Sequence, residues 1–171
     1  MAVESMTLYK LIILYMLEKV DFPLSNEAVS GFFFETGYAD FATVQQVLGI
    51  IQDDGLIEAK NSRSSTGYSL TSQGREMFGY FGGKISDEIK HEIDAYLTSR
   101  KYELKQSANV TSEFYRNTFG EYSVHCCIKE KNSSLIDITL DVPDESVADT
   151  MCGKWRDKSQ EIYEFVMKTL M

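Results

Sequence analysis

Positive charge is the scarcest resource of this sequence. Lysine and arginine number 17 against 26 aspartates and glutamates, which leaves a formal net charge of -9 and a pI near 4.7. A field of that sign repels phosphate and argues against a simple, strongly basic nucleic-acid binder. The shortage is also local: no lysine or arginine lies between Val20 and Ala59. Residues 1–82 hold five bases (Lys10, Lys19, Lys60, Arg63, Arg75) against ten acids (Glu4, Glu18, Asp21, Glu27, Glu35, Asp40, Asp53, Asp54, Glu58, Glu76). Cysteine is nearly absent as well. Three residues, two of them adjacent at Cys126 and Cys127, make no disulfide framework, and a reducing cytoplasm is the expected compartment. Long apolar runs are missing: Leu11 to Leu17 is seven residues, against roughly 20 for a membrane span. The start, MAVES, puts an acid where an export signal would carry a base. Neither an export signal nor a membrane span is read. With 43% hydrophobic and 25% charged residues the composition is that of a globular chain, which excludes disorder and low complexity.

What is present centres on Asp40 to Gly74. Phe41, Val44, Leu48 and Ile51 step by three, four and three, which predicts a helix with one apolar stripe. Gly55 ends it, since glycine enters the left-handed region freely. Strands are predicted at Leu56 to Lys60 and Tyr68 to Leu70, joined by the polar tip Asn61 to Gly67. Thr71 then caps a helix over Ser72 to Phe81. Helix, glycine stop, hairpin and capped helix are the C-terminal parts of a winged helix-turn-helix.

The residues GLIEAK and YSLTSQGREMF resemble the wing of small bacterial transcriptional regulators of the PadR and MarR type, where G-L-I and Y-x-L-T-x-x-G recur. Over its whole length the chain is similar to an uncharacterised bacterial family that joins such a winged helix to a small C-terminal α+β region. The resemblance implies a DNA-binding regulator that dimerises through terminal helices.

Upstream, a first helix is expected over Ser5 to Lys19, capped by Ser5 or Thr7. Its middle is apolar on all sides, so it must be covered on more than one face, by the C-terminal region or a second protomer besides its neighbours. Ser25 caps a second helix from Asn26 to about Phe34, with Leu24 and Val29 as a hydrophobic staple. Phe32, Phe33 and Phe34 cannot all point inward on a helix. Downstream, Gly82 and Gly83 mark a hinge before one amphipathic helix over Ser86 to Leu104. Three strands are predicted at Val110 to Asn117, Tyr122 to Glu130 and Leu135 to Val142, short enough in their connections for an antiparallel meander. Asp144 or Ser146 caps a last helix reaching Leu170, with the seam Ala148, Cys152, Trp155, Ser159, Ile162, Val166 and Thr169. The expected fold is therefore α+β, with a winged helix-turn-helix domain over 1–82 and a dimerisation or sensor region over 83–171.

In that arrangement the side chains opposite the apolar stripe, Thr43, Gln45 and Gln46, with Tyr38 at the helix entrance, are the expected base readers, and Gln can hold adenine through two hydrogen bonds. Lys60, Arg63, Ser64, Ser65 and Thr66 of the wing are the expected backbone contacts. Lysine and arginine contacts remain few beside the roughly 6 to 10 phosphate contacts of a tight regulator, which makes binding salt-sensitive. The competing reading is an acidic winged helix used for protein docking without DNA.

His125, Cys126 and Cys127 do not suggest a metal, because on a strand Cys126 points away from its neighbours; Cys152 reads as a small core residue. The pairs Asp53 with Asp54 and Asp137 with Asp141 have no nucleophile, base or phosphate loop beside them, and His91 reads as a surface residue. No enzyme activity, metal or cofactor is expected. The expected partners are DNA and a second copy of the chain, and the reading leaves room for a small-molecule effector.

Overall fold

A computed structural model describes residues 2–61, 66–130 and 133–171, with side chains at all of these but 2, 3, 102 and 106–108. Among the described residues the fold is α+β: seven α-helices and two three-stranded antiparallel sheets. The chain divides into two compact units, one drawn from residues 1–61 and 66–105 and the other from 106–171.

The first unit is built on α1 (Ala2–Glu18). All seven residues from Leu11 to Leu17 are buried, as a helix apolar on every side requires. Its cover comes from α3 (Phe41–Asp53), β3 (Thr66–Leu70), α4 (Ser72–Phe81) and α5 (Asp87–Ser99), all in the same unit. Where the sequence suggested a hinge at Gly82 and Gly83, a 3-10 turn at Gly82–Lys84 instead leads into α5, which packs back on the core. Tyr15 donates to both carboxylate oxygens of Asp94 at 3.0 and 3.1 Å, and Tyr96 donates to the Ala28 carbonyl at 2.8 Å.

α2 (Asn26–Thr36) starts at Ser25, whose Oγ accepts from the Ala28 amide at 3.1 Å. It stops at Gly37, left-handed at φ 71. Phe32 and Phe33 are buried and Phe34 is 87% exposed, as helical geometry demands of three consecutive rings. At the end of α3, Gly55 has φ 74 and the Leu56 amide donates back to the Ile51 carbonyl at 2.9 Å, the long bond of a Schellman stop. The hairpin is β2 (Ile57–Asn61) with β3. One further strand, β1 (Leu24–Ser25), pairs with β3 on its other edge and gives the order β1-β3-β2.

The expected single helix over 86–104 is two, α5 and α6 (Lys101–Asn109). The chain leaves helical geometry at Arg100, φ -114 and ψ 8, whose guanidinium stacks 4.4 Å from the Tyr96 ring centroid and pairs with Glu35.

In the second unit β4 (Val110–Arg116), β5 (Tyr122–Glu130) and β6 (Ser133–Val142) form the meander, in the order β4-β5-β6. Gly120, at φ 82, turns the first hairpin. α7 (Glu145–Leu170) begins at Asp144, which accepts from the Val147 amide at 3.1 Å, so the cap is Asp144 and not Ser146. Ala148, Cys152 and Trp155 of α7 meet Val124 and Cys126 of β5 in a separate small core. Ser159 continues the buried seam and Thr169 at its end is exposed.

Candidate functional site

α3 is fixed by its buried side. Val44, Val47, Leu48 and Ile51 are at most 2% exposed, and they hold the helix against α1, α2 and β2. Phe41 does not join them: it is 66% exposed. The reason is positional. Phe41 is the first helical residue, directly after the cap Asp40, and lies a turn before the part of the stripe that its neighbours cover. Val47, which the sequence pattern left out of the stripe, is buried with the other three.

Asp40 accepts from the Thr43 amide at 2.8 Å, and hydrogen bonding from the Thr43 side chain, together with that amide, holds its carboxyl below the ordinary carboxylate range. Thr43 is half-buried just inside the start of the helix. Ala42, Gln46, Gly49 and Asp53 face solvent.

The two glutamines have different surroundings. Gln46 is open, whereas the Gln45 amide is used at both ends: its oxygen accepts from Asn26 Nδ2 at 2.7 Å, and its nitrogen donates to Asn26 Oδ1 at 2.9 Å and Ser30 Oγ at 3.2 Å. Asn26 also donates to the Tyr68 hydroxyl at 3.2 Å. Gln45 thus belongs to a polar network tying α2, α3 and β3 together. Tyr38 is likewise built in. Its hydroxyl donates to Glu92 of α5, its carbonyl accepts from the Tyr9 hydroxyl at 2.6 Å, and its ring lies 6.2 Å from that of Phe32. The bond to Glu92, helped by desolvation, pushes the Tyr38 pKa up to about 12.

On the hairpin Lys60 is exposed, and Thr66 donates to Asn61 Oδ1 at 3.0 Å across the last pair of the ladder. Arg63, Ser64 and Ser65, the other expected wing contacts, lie outside the described residues. The structure therefore brings Thr43 and Gln46 to the outer side of α3 with Lys60 on the adjoining hairpin, and it ties Tyr38 and Gln45 into the body.

This sequence and fold have a family. The chain belongs to the DUF4364 family. The match runs over residues 9–170, and the family is described as a domain of unknown function. No curated protein and no solved structure matches the chain.

Elsewhere in this DUF4364 chain, Cys126 lies in the second core with Cys152, and burial pushes its thiol up to about 11. His125, on the other side of β5, has Nε2 2.6 Å from Asp137 and Nδ1 3.5 Å from Glu113. Among the described residues no group of three or more His, Cys, Asp or Glu side chains could hold a metal ion, and no helix is long and apolar enough to cross a membrane. Asp141 accepts from Ser123 at 2.6 Å, and His91 is exposed. Sequence reasoning missed Asn26 and Ser30 as partners of Gln45, and Tyr68 as the further partner of Asn26. Their spacings, 19, 15 and 23 residues from Gln45, carry no local pattern that could have shown it.

Proposed function

We propose that the first unit is a winged helix-turn-helix and that this protein is a homodimeric, DNA-binding transcriptional regulator. The supporting observation is α3 itself: buried along Val44, Val47, Leu48 and Ile51, and open along Ala42, Gln46 and Gly49, with the hairpin of β2 and β3 next in the chain. In this reading α3 enters a major groove, Gln46 and Thr43 read base edges, and Lys60 with the tip of the wing meets the backbone. Tyr38 and Gln45 support α3 from behind. The meander and α7 supply dimerisation, and the chain works in the cytoplasm without catalytic chemistry.

A mobility-shift experiment on genomic fragments at about 50 mM salt tests this, because phosphate contacts are strongest there. Wild type is expected to retard a fragment and Lys60→Glu to lose most of the shift. Gln46→Ala is expected to relax sequence preference, at about 1 to 3 kcal/mol for the position it reads. Absence of retardation by wild type ends the reading, and an equal shift by Lys60→Glu removes the wing from it.

A second reading has its own observation. Phe34 and Phe41, at the end of α2 and the start of α3, are 87% and 66% exposed in a region without a base for some forty residues. Exposed rings without cations suit a protein partner better than phosphate. If DNA is not retarded while Phe34→Ser abolishes a pulled-down protein complex, the adaptor reading replaces the first.

A further inference from the structure

A cavity of about 660 Å³ opens in the first unit where the end of α1 and the turn after it face α5 and α6. The volume is in the range of small-molecule sites, about 300 to 1,000 Å³. Its apolar surface is Val20, Phe22 and Leu97, all packed on the main core. Around them stand three acids, Glu18, Asp21 and Asp94, and three bases, Lys19, Lys101 and Lys105.

The charges are not equally available. Glu18 accepts from Arg75 at 3.2 Å, and both oxygens of Asp94 accept from Tyr15. The Lys19 ammonium sits 5.1 Å from the centroid of the Tyr15 ring, and a hydrogen bond with the Tyr15 side chain, helped by the Asp94 charge, holds its pKa above the ordinary lysine value. Lys101 and Lys105 have no ion-pair partner among the described residues. They are one helical turn apart on α6 and hence on one face, where two ammonium groups repel each other. In a chain of net charge -9, two lysines one turn apart in the lining of this cavity, without an ion-pair partner among the described residues, concentrate positive potential beside an apolar wall.

We infer that this cavity binds a small amphipathic organic anion, its charged head between Lys101 and Lys105 and its apolar body against Val20, Phe22 and Leu97. An acidic head relieves the repulsion between the two lysines through charge-assisted hydrogen bonds, and the body covers half-buried apolar surface. Asp21, the remaining acid of the lining, disfavours a second negative charge, so the ligand carries a single acidic group. The inference is independent of DNA binding, since it invokes no residue of α3 or the hairpin.

Amide-resolved NMR titration of the full chain with octanoate, octanol and inorganic phosphate tests it. Octanoate is expected to shift Val20, Phe22, Leu97 and Thr98 selectively. Octanol and phosphate are each expected to bind at least about tenfold more weakly, since each lacks one half of the recognition. Lys101→Ala/Lys105→Ala is expected to weaken octanoate at least about tenfold with an unchanged far-UV spectrum, while Lys158→Ala, on α7, is expected to leave it as in wild type. Equal binding of octanol or of phosphate, an unaffected double variant, an equally damaging Lys158→Ala, or no selective shifts would each overturn the inference.

Discussion

Gln45 and Gln46 are chemically identical neighbours with opposite circumstances, and this difference can be measured directly. Gln45 makes three hydrogen bonds to Asn26 and Ser30, whereas Gln46 faces water. Net contributions of about 0.5 to 1.5 kcal/mol per hydrogen bond lead, for three bonds, to an expected loss of about 1.5 to 4.5 kcal/mol for Gln45→Ala, and of under about 0.5 kcal/mol for Gln46→Ala. Urea denaturation of the two variants checks the contrast, and equal losses would put both glutamines in the same environment. Tyr38 gives a second prediction. Its hydroxyl stays protonated up to about pH 12 because ionisation would cost the hydrogen bond it donates to Glu92, with desolvation adding to the effect. The folded value lies above the ordinary 10.0, so the stabilisation is complete below pH 10 and is lost as pH rises from 10 towards 12. Wild type and Tyr38→Phe should therefore differ in stability at pH 8 and converge near pH 12. Ultraviolet titration should show one fewer late-ionising phenol in the variant.

Elements whose causes are local were legible in the sequence. The Ser25, Thr71 and Asp144 caps each bond an amide three residues on, and the Gly55 stop needs one left-handed residue. These are short-range arrangements that a pattern can carry. β1 was not legible, because two residues become a strand only through β3, more than forty positions away. The break at Arg100 has no glycine or proline to announce it, and the exposure of Phe41 depends on where its neighbours end. The site was legible to the same extent: the position of α3 and its hairpin followed from the pattern, the internal engagement of Tyr38 and Gln45 did not. The motif Tyr68, Leu70, Thr71, Gly74 has an account within the fold. Tyr68 is buried, Thr71 Oγ1 accepts from the Gly74 amide at 3.0 Å and donates towards the Gly55 carbonyl at 2.7 Å, and a Cβ on Gly74 would stand 1.9 Å from the Leu56 carbonyl oxygen. Backbone cannot yield there as a flexible side chain would. Gly74→Ala is expected to cost about 3 kcal/mol or more, read as a lowered denaturant midpoint. A loss under about 1 kcal/mol would mean that α4 and the backbone at Leu56 do not approach so closely.

At the scale of the whole molecule there are two hydrophobic clusters with no residue in common. The single tryptophan, Trp155, is buried in the second, where its Nε1 donates to the Cys127 carbonyl at 3.3 Å. Its emission therefore reports that unit, while helical ellipticity reports both. In Gly74→Ala the ellipticity transition is expected to move to lower urea while the emission transition stays within error of wild type. Coincident movement of both would show that the two clusters melt as one cooperative body.

The mutual amide bridge of Asn26 and Gln45 makes the helix pair vulnerable to slow chemical ageing. Hydrolysis of the Asn26 side chain to a carboxylate would set an oxygen where a nitrogen now donates at 2.7 Å, so that two acceptors face each other. Stored protein should then lose α2–α3 integrity before any peptide bond is cut, with a mass gain of about one dalton as its only covalent trace.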